Sequence, residues 1–360
     1  MKNDRWIYSY DYPPDSIWEN WRLSDGVPSW IMDEAEAVSE RVRENKIRWR
    51  SLEESKKLGM GDQPVGDMRE MLCFLLLTDS HCTYNGTWDD TVESMRAVAN
   101  SLSGRGIRMD RIIHLGDLTD GLLPLNKTEE IEQQCILEMQ EVLMGTRSLD
   151  EMGGTQDLLN IVPGNHDYNY FRGNPEIRYP STPQYYIDEP GQKLRLIFMD
   201  SFDPKEKLRY GFTEYCIHWV ESVLHMMPKD YVAIIFSHVP PIKQLHAWSD
   251  WIRNSHILMP VLDKFADRIL AYINGHSHCD HLFNDLHNGQ FPIISINCAK
   301  CEYFLEHKPE GAVVPYRRLG ARMQESFDIM QVDTEKREIY FTRFGAGQDR
   351  IVRNHKAEWV

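Results

Sequence analysis

Long stretches of the chain alternate unbroken apolar runs of strand length with amphipathic segments of helical period. The run at 71–78 is continuous in apolar residues, which predicts a strand covered on both faces. From Asp89 to Leu102, the residues Val92, Met95, Val98, Ala99 and Leu102 recur on one helical face. A second strand follows at 111–115, so the three segments form a βαβ unit. Another amphipathic helix carries Ile131, Cys135, Met139, Val142 and Leu143. Further strands are predicted at 158–162, 194–199, 231–236 and 269–273. Thr213 is placed to N-cap a helix whose apolar face includes Ile217, Val220, Leu224 and Met227. Near the end, runs at 327–332 and 338–344 flank Asp333-Thr334-Glu335-Lys336 and predict a hairpin. The fold class this predicts is α/β: a layered domain closed by antiparallel strands.

Residues 1–67 follow a different pattern. Trp6, Trp18, Trp21, Trp30 and Trp49 crowd this stretch, and Pro13-Pro14 and Pro28 interrupt it. A charged helical run is expected over 33–58, and Gly59-Met60-Gly61-Asp62-Gln63-Pro64 reads as a linker. So much indole surface is costly to leave in water, so this arm is expected to pack on the main domain or on a second subunit. The division expected is an N-terminal Trp-rich extension at 1–67 and a main domain at 68–352. No internal repeat or low-complexity tract is present.

Composition narrows the function classes. The chain has 360 residues, enough for one large domain with an appendage. Its longest apolar run is far too short to span a bilayer, so no membrane association is expected. The first residues lack the apolar stretch of a signal peptide, which gives a cytoplasmic location as the default expectation. Seven scattered cysteines suggest no disulfide framework, and Cys298 and Cys301 form a Cys-x-x-Cys without a second pair. The formal net charge of −15 disfavours nucleic acid as a partner. An anionic substrate would then need positive charge supplied locally, which bound metal can do.

Several predicted strands end in residues of metal-ligating type. The first ends in Asp79-Ser80-His81 and the second in Gly116-Asp117-Leu118-Thr119-Asp120. The third ends in Gly164-Asn165-His166-Asp167, and two later strands end in Ser237-His238 and Gly275-His276-Ser277-His278. Singly, each is a common turn or a core histidine. Together they bring carboxylate, imidazole and carboxamide groups to one sheet edge, where open α/β folds hold their ligands.

These five blocks, in this order, resemble the calcineurin-like metallophosphoesterase superfamily, from Asp79 to His278. The resemblance implies a β-sandwich flanked by helices, with the Trp-rich helical arm outside the shared region. It implies two divalent metals, one held by Asp79, His81 and His278, the other by Asn165, His238 and His276, with Asp117 as the bridge. A donor set without thiolate suits Mn, Fe, Zn or Co, and Mn is favoured here. The activity implied is phosphoester hydrolysis, in which a hydroxide between the metals attacks phosphorus in line. His166 is implied as the group that protonates the leaving alkoxide, with Asp120 as its partner. For Asp167, a structural role is expected, and Cys82 and Cys279 are expected to pack behind the ligands they follow.

Substrate choice is less determined. The loop Tyr168-Asn169-Tyr170-Phe171-Arg172, continuing through Arg178 to Tyr185-Tyr186, could bring aromatic faces and guanidinium groups to the metals, or it could only pack on the N-terminal arm. Tyr84 and Trp88, after the first block, could do the same, so Tyr84, Tyr168 and Arg172 are candidate substrate contacts. A small-molecule phosphodiester is the expected substrate. The alternatives are a phosphomonoester or phosphoprotein, or a non-catalytic scaffold on the same fold. A dimer through the N-terminal arm is a further possibility.

Overall fold

The computed structural model describes residues 7–8, 27–63, 65–82, 88–119, 125–145, 158–168, 183–203, 210–284, 291–299, 302–303 and 308–360. The helices of more than one turn are α1 (Ser29–Lys46), α2 (Leu52–Lys57), α3 (Trp88–Gly104), α4 (Leu125–Met144), α5 (Glu214–Met226) and α6 (Ser255–Asp263). The strands begin with β1 (Ile7–Tyr8), β2 (Ile47–Trp49), β3 (Gly66–Met68), β4 (Leu72–Leu77), β5 (Arg111–His114) and β6 (Leu159–Ile161). They continue with β7 (Tyr185–Glu189), β8 (Leu194–Met199), β9 (Val232–Ser237), β10 (Ile269–Asn274), β11 (His281–Phe283), β12 (Ile293–Ser295) and β13 (Glu302–Tyr303). The last four are β14 (Ser326–Asp333), β15 (Glu338–Gly345), β16 (Arg350–Arg353) and β17 (Lys356–Trp359).

Two large sheets dominate, ordered β17-β16-β15-β14-β4-β5-β6 and β11-β12-β10-β9-β8-β7. In each, a parallel centre (β4, β5, β6 and β8, β9, β10) is extended by antiparallel strands. Side-chain alternation along β4 shows why its apolar run is unbroken. Phe74 and Leu76 enter a core shared with Phe198, Ile234, Phe236 and Phe341 of both sheets. Cys73, Leu75 and Leu77 face the opposite way, into a layer with Val92 and Met95 of α3 and Met139 of α4. Beyond the other sheet, Ile217 and Val220 of α5 and Leu258 of α6 cover Ile197, Ile235 and Tyr272. The order of layers is therefore helix, sheet, sheet, helix. Thr213 accepts the Cys216 N–H at 3.1 Å as the N-cap of α5, and Asp333 pairs with Glu338 to close the β14–β15 hairpin. No helix among the described residues is long and apolar enough to cross a membrane.

The N-terminal segment differs from the helix expected over 33–58. The helix ends at Lys46, where Ile47 takes extended backbone (φ −71°, ψ 122°). The β-branched and aromatic run Ile47-Arg48-Trp49 then pairs antiparallel with Gly66–Met68. Ser51 starts the short helix α2 through a reciprocal capping box with Glu54. The stretch read as a linker thus lies inside a connection between paired strands. On α1, Ile31, Ala35, Val38 and Val42 are fully buried on the face that meets α3 and β15. Each buried Val or Ile there contributes roughly 1.5–3 kcal/mol. Asn45 adds hydrogen bonds to Gln331 Oε1 (3.1 Å) and Thr342 Oγ1 (3.3 Å). Trp30 packs partly buried on the same core, but Trp49 is 68% exposed. Trp6, Trp18 and Trp21 lie outside the described residues.

Candidate metal centre

The motif residues come together at the carboxyl ends of the parallel strands. Asp79 and His81 follow β4, Asp117 follows β5, and Asn165 and His166 follow β6. His238 follows β9, and His276 and His278 follow β10. All are buried, none more than 7% exposed. Their donor atoms form three overlapping groups, each with its atoms within 4.8 Å of one another: Asp79, His81 and His278; His81, Asp117 and His166; Asp117, His238 and His276. His278 Nε2 lies 3.1 Å from Asp79 Oδ1 and 3.4 Å from His81 Nε2. On the other side, His238 Nε2 lies 3.2 Å from Asn165 Oδ1 and 3.1 Å from His276 Nδ1. Asp117 stands between the sides, with Oδ2 3.2 Å from His238 Nε2 and 3.9 Å from His81 Nε2.

The local backbone explains how so many donors converge. Asp79 (φ 50°), His81 (44°), Asp117 (56°), His276 (68°) and His278 (51°) all adopt the left-handed region, which turns each side chain back over its strand end. Gly116, at φ 96°, lets the chain reverse before Asp117. At Gly164 a Cβ would lie 2.2 Å from Asp117 Oδ1, so only glycine leaves room for that carboxylate. Asp167 accepts the backbone N–H groups of Asp117 (2.8 Å), Leu118 (2.9 Å) and Gly164 (2.8 Å), and so clamps two motif turns together. Burial and the nearby Asp117 charge push its carboxyl up to about 7.

Imidazole nitrogens that approach one another within 3.1–3.4 Å in a dry pocket repel unless a proton or cation lies between them. Burial alone would depress His238, yet the Asp117 and Asp79 charges raise it to about 9. Burial would likewise raise Asp79, but the His278 and His238 charges hold it well below the usual carboxylate range. Thus the cluster attracts positive charge strongly. His238 donates Nδ1–H to Leu115 O at 2.7 Å, which leaves Nε2 free to ligate. Imidazole, carboxylate and carboxamide donors on two sides of one carboxylate fit two divalent cations.

His166 Nε2 lies 3.8 Å from Asp117 Oδ2, and its backbone N–H donates to Asp117 Oδ1 at 2.8 Å. Asp120, Arg172 and Tyr84 lie outside the described residues. Four aromatic residues offered as possible substrate contacts make other contacts in the fold. Tyr168 is buried and gives its hydroxyl to Asp200 at 3.0 Å. Tyr185 opens β7, stacks on Phe198 at 4.7 Å and bonds Ile161 O, while Tyr186 lies under the Arg195 guanidinium. Trp88 is 7% exposed in the core and donates to Glu138. Tyr168, Tyr185 and Trp88 spend their aromatic surface on packing, while Tyr186 stays 42% exposed. Cys82 faces Leu118 O and Cys135, and Cys279 is fully buried. Cys298 is buried too, while Cys301 lies outside the described residues.

Two features escaped the sequence reading. His246, 7% exposed, sits behind His276, and burial depresses it to about 4. Nothing in a single histidine eight residues past His238 signals that placement. The other is a buried ionic quartet. Asp280, two residues after His278, meets Arg343 (2.6 Å) and Arg350 (2.8 Å) through Oδ1. Both arginines also bind Asp328, Arg343 at 2.9 Å. The quartet ties the His276–His278 turn to the C-terminal strands.

Among solved structures, the chain is similar to a dimetal phosphatase from Danio rerio, with 14% identity, 78% of this chain and 98% of that one covered, and a TM-score of 0.52. It is also similar to GAP50, the anchor in the inner membrane complex of Plasmodium, at 14% identity, 81% and 88% coverage, and a TM-score of 0.47. No curated protein matches it. The family model for calcineurin-like phosphoesterases matches residues 73–280, the span that runs from within β4 past β10 and holds all eight of the convergent side chains. With the motif order, the sandwich and the donor cluster in agreement over that span, the chain belongs to the calcineurin-like phosphoesterase family.

Proposed function

We propose that the chain hydrolyses a small-molecule phosphodiester at a centre of two divalent cations, with Mn the favoured metal. Metal-dependent phosphoester hydrolysis rests on the family, and the diester on the arginines, Arg172 and Arg178, of the loop after the third block. The observation that carries the reading is Asp117, whose one carboxylate belongs to two donor groups at once. Asp79, His81 and His278 would hold one cation, Asn165, His238 and His276 the other, and Asp117 would be shared. When bound, such cations offset phosphate charge and make water acidic enough to act near neutral pH.

The chain's own groups do the rest. Asp167 holds the Asp117 turn in register with Gly164. His166 is assigned to protonate the leaving alkoxide, and Asp120 to orient it. Both solvent exclusion and donor orientation follow from the burial of the cluster.

The test is Asp117→Ala, with metal content by elemental analysis and turnover of bis-p-nitrophenyl phosphate and p-nitrophenyl phosphate. Wild type should hold two metals, prefer the diester and lose activity to a chelator, with Mn restoring it. The variant should lose metal and nearly all turnover. Substantial activity in a folded Asp117→Ala protein refutes the shared-carboxylate reading, and a preference for the monoester refutes the diester.

A further inference from the structure

The two ring nitrogens of His276 face different neighbours. Nδ1 lies 3.1 Å from His238 Nε2, on the side of the donor group with Asp117. Nε2 lies 3.1 Å from Nε2 of His246, a residue outside the five motif blocks. His246 is buried, and its ring is held from several directions. Tyr210 packs against both imidazoles, with centroids 5.2 Å from His246 and 4.9 Å from His276. Trp248 donates its indole N–H to His276 O at 2.9 Å and its backbone N–H to His246 Nδ1 at 3.2 Å.

We propose that His246 is a positioning residue that fixes the ring of His276, and through it the hold of the centre on the cation shared by His238 and His276. This rests on the dinuclear reading above. A ligating imidazole offers one nitrogen to the metal and needs a partner for the N–H on the other. With Nδ1 turned to the donor group, the proton of His276 sits on Nε2, and His246 Nε2 is placed to accept it. His246 then carries its own proton on Nδ1, and the Trp248 N–H releases that nitrogen. The exchange gives up that 3.2 Å bond, the longest of the four hydrogen-bond distances here.

Without an acceptor at His246, the His276 N–H would be stranded in a buried site, and its ring would lose the contact that fixes its rotation. Loss of such an outer partner typically weakens metal binding by about 10–100-fold. The effect should fall on one cation only, because Asp79, His81 and His278 do not touch His246 in any of the contacts above.

The experiment compares His246→Phe, which keeps the ring volume but cannot accept, with His246→Gln, whose carbonyl can. Mn binding to the metal-stripped full chain is followed by titration calorimetry, and the metal retained per chain by elemental analysis. His246→Phe should lose affinity at one of two sites by about 10–100-fold, and His246→Gln should recover most of it. The visible spectrum of the cobalt-loaded protein should change for one site in His246→Phe and revert in His246→Gln. If His246→Phe binds both metals like wild type, the inference is overturned. Equal losses in both variants also overturn it, because the ring would then matter for packing alone. A wild type holding fewer than two metals overturns the dinuclear reading and this inference with it, and that outcome is distinct because it precedes any substitution.

Discussion

Replacing Arg343 with Met tests how the second histidine turn is tethered to the rest of the sandwich. Arg343 is 2% exposed and bonds Asp280 (2.6 Å), Asp328 (2.9 Å) and the carbonyl of Ala346 (2.9 Å). In the quartet two carboxylates balance two guanidinium groups, so little net charge is buried. Methionine would fill much of the volume but leave Asp280 and Asp328 to share Arg350, with one uncompensated negative charge in a dry site. Breaking a buried pair in this way costs about 3–5 kcal/mol. For a domain whose total stability is on the order of 5–15 kcal/mol, that is a large fraction. For a chain of 360 residues it corresponds to a fall in melting temperature of about 4–7 °C. The companion Asp328→Asn/Arg343→Met restores the balance, because Asp280 and Arg350 keep their 2.8 Å contact. It should recover at least half of the loss. Guanidinium unfolding of metal-stripped protein, followed by fluorescence and circular dichroism, measures both. A single variant within about 1 kcal/mol of wild type, or a double variant no better than the single, would refute the charge-balance reasoning.

Two further outcomes are expected. His166→Ala should retain two metals per chain yet turn over about 10²–10⁴-fold more slowly, less so with leaving groups of low pKa. Loss of metal on that substitution would instead make His166 a ligand, which its place beside His81 and Asp117 makes a real alternative. Glu325, fully buried beside Thr91, Gln324 and Asp90, is raised to about 7 by burial. Its ionised form is therefore disfavoured in the folded chain. The stability it permits is full below about pH 4.3, where the unfolded carboxyl is protonated, and is lost as pH rises through about 7. The loss is at most about 4 kcal/mol, and Glu325→Gln should flatten the fall in urea midpoint between pH 5 and 8. Parallel pH profiles for the two proteins would show that Glu325 is not responsible.

The central parallel strands were readable because both faces of each are buried, which writes the sequence as an unbroken apolar run. The donor cluster was readable because each ligand stands just past such a run, at a turn marked by glycine. Less was readable where a residue type fits two environments. Tyr185, Tyr186 and Trp88 suited a substrate loop as well as a core, and β7 places the first two by pairing with β8. At Ile47 the charged helical pattern continued, but extended backbone and the Ser51 cap ended it. His246 and Asp280 were invisible for a different reason. Their partners, His276 and the two arginines, lie 30, 63 and 70 positions away, and no local periodicity reports such contacts.

The left-handed backbone at Asp79, His81, Asp117, His276 and His278 sets the fold and its chemistry against each other. A side chain in that region costs roughly 1–2 kcal/mol relative to ordinary backbone, less for aspartate, and glycine escapes the penalty. At the three histidines glycine would relieve the backbone yet bind no metal, whereas at Asp79 and Asp117 it would also strand the N–H groups of His276 and His166. Selection for heat resistance alone would thus favour glycine at the histidines and erode the centre while relaxing the scaffold. Selection for turnover holds the chain away from that optimum, and cations that bind only the folded form return part of the difference as ligand-linked stability. Metal supply in the cell would then govern how long this protein survives as well as how fast it works.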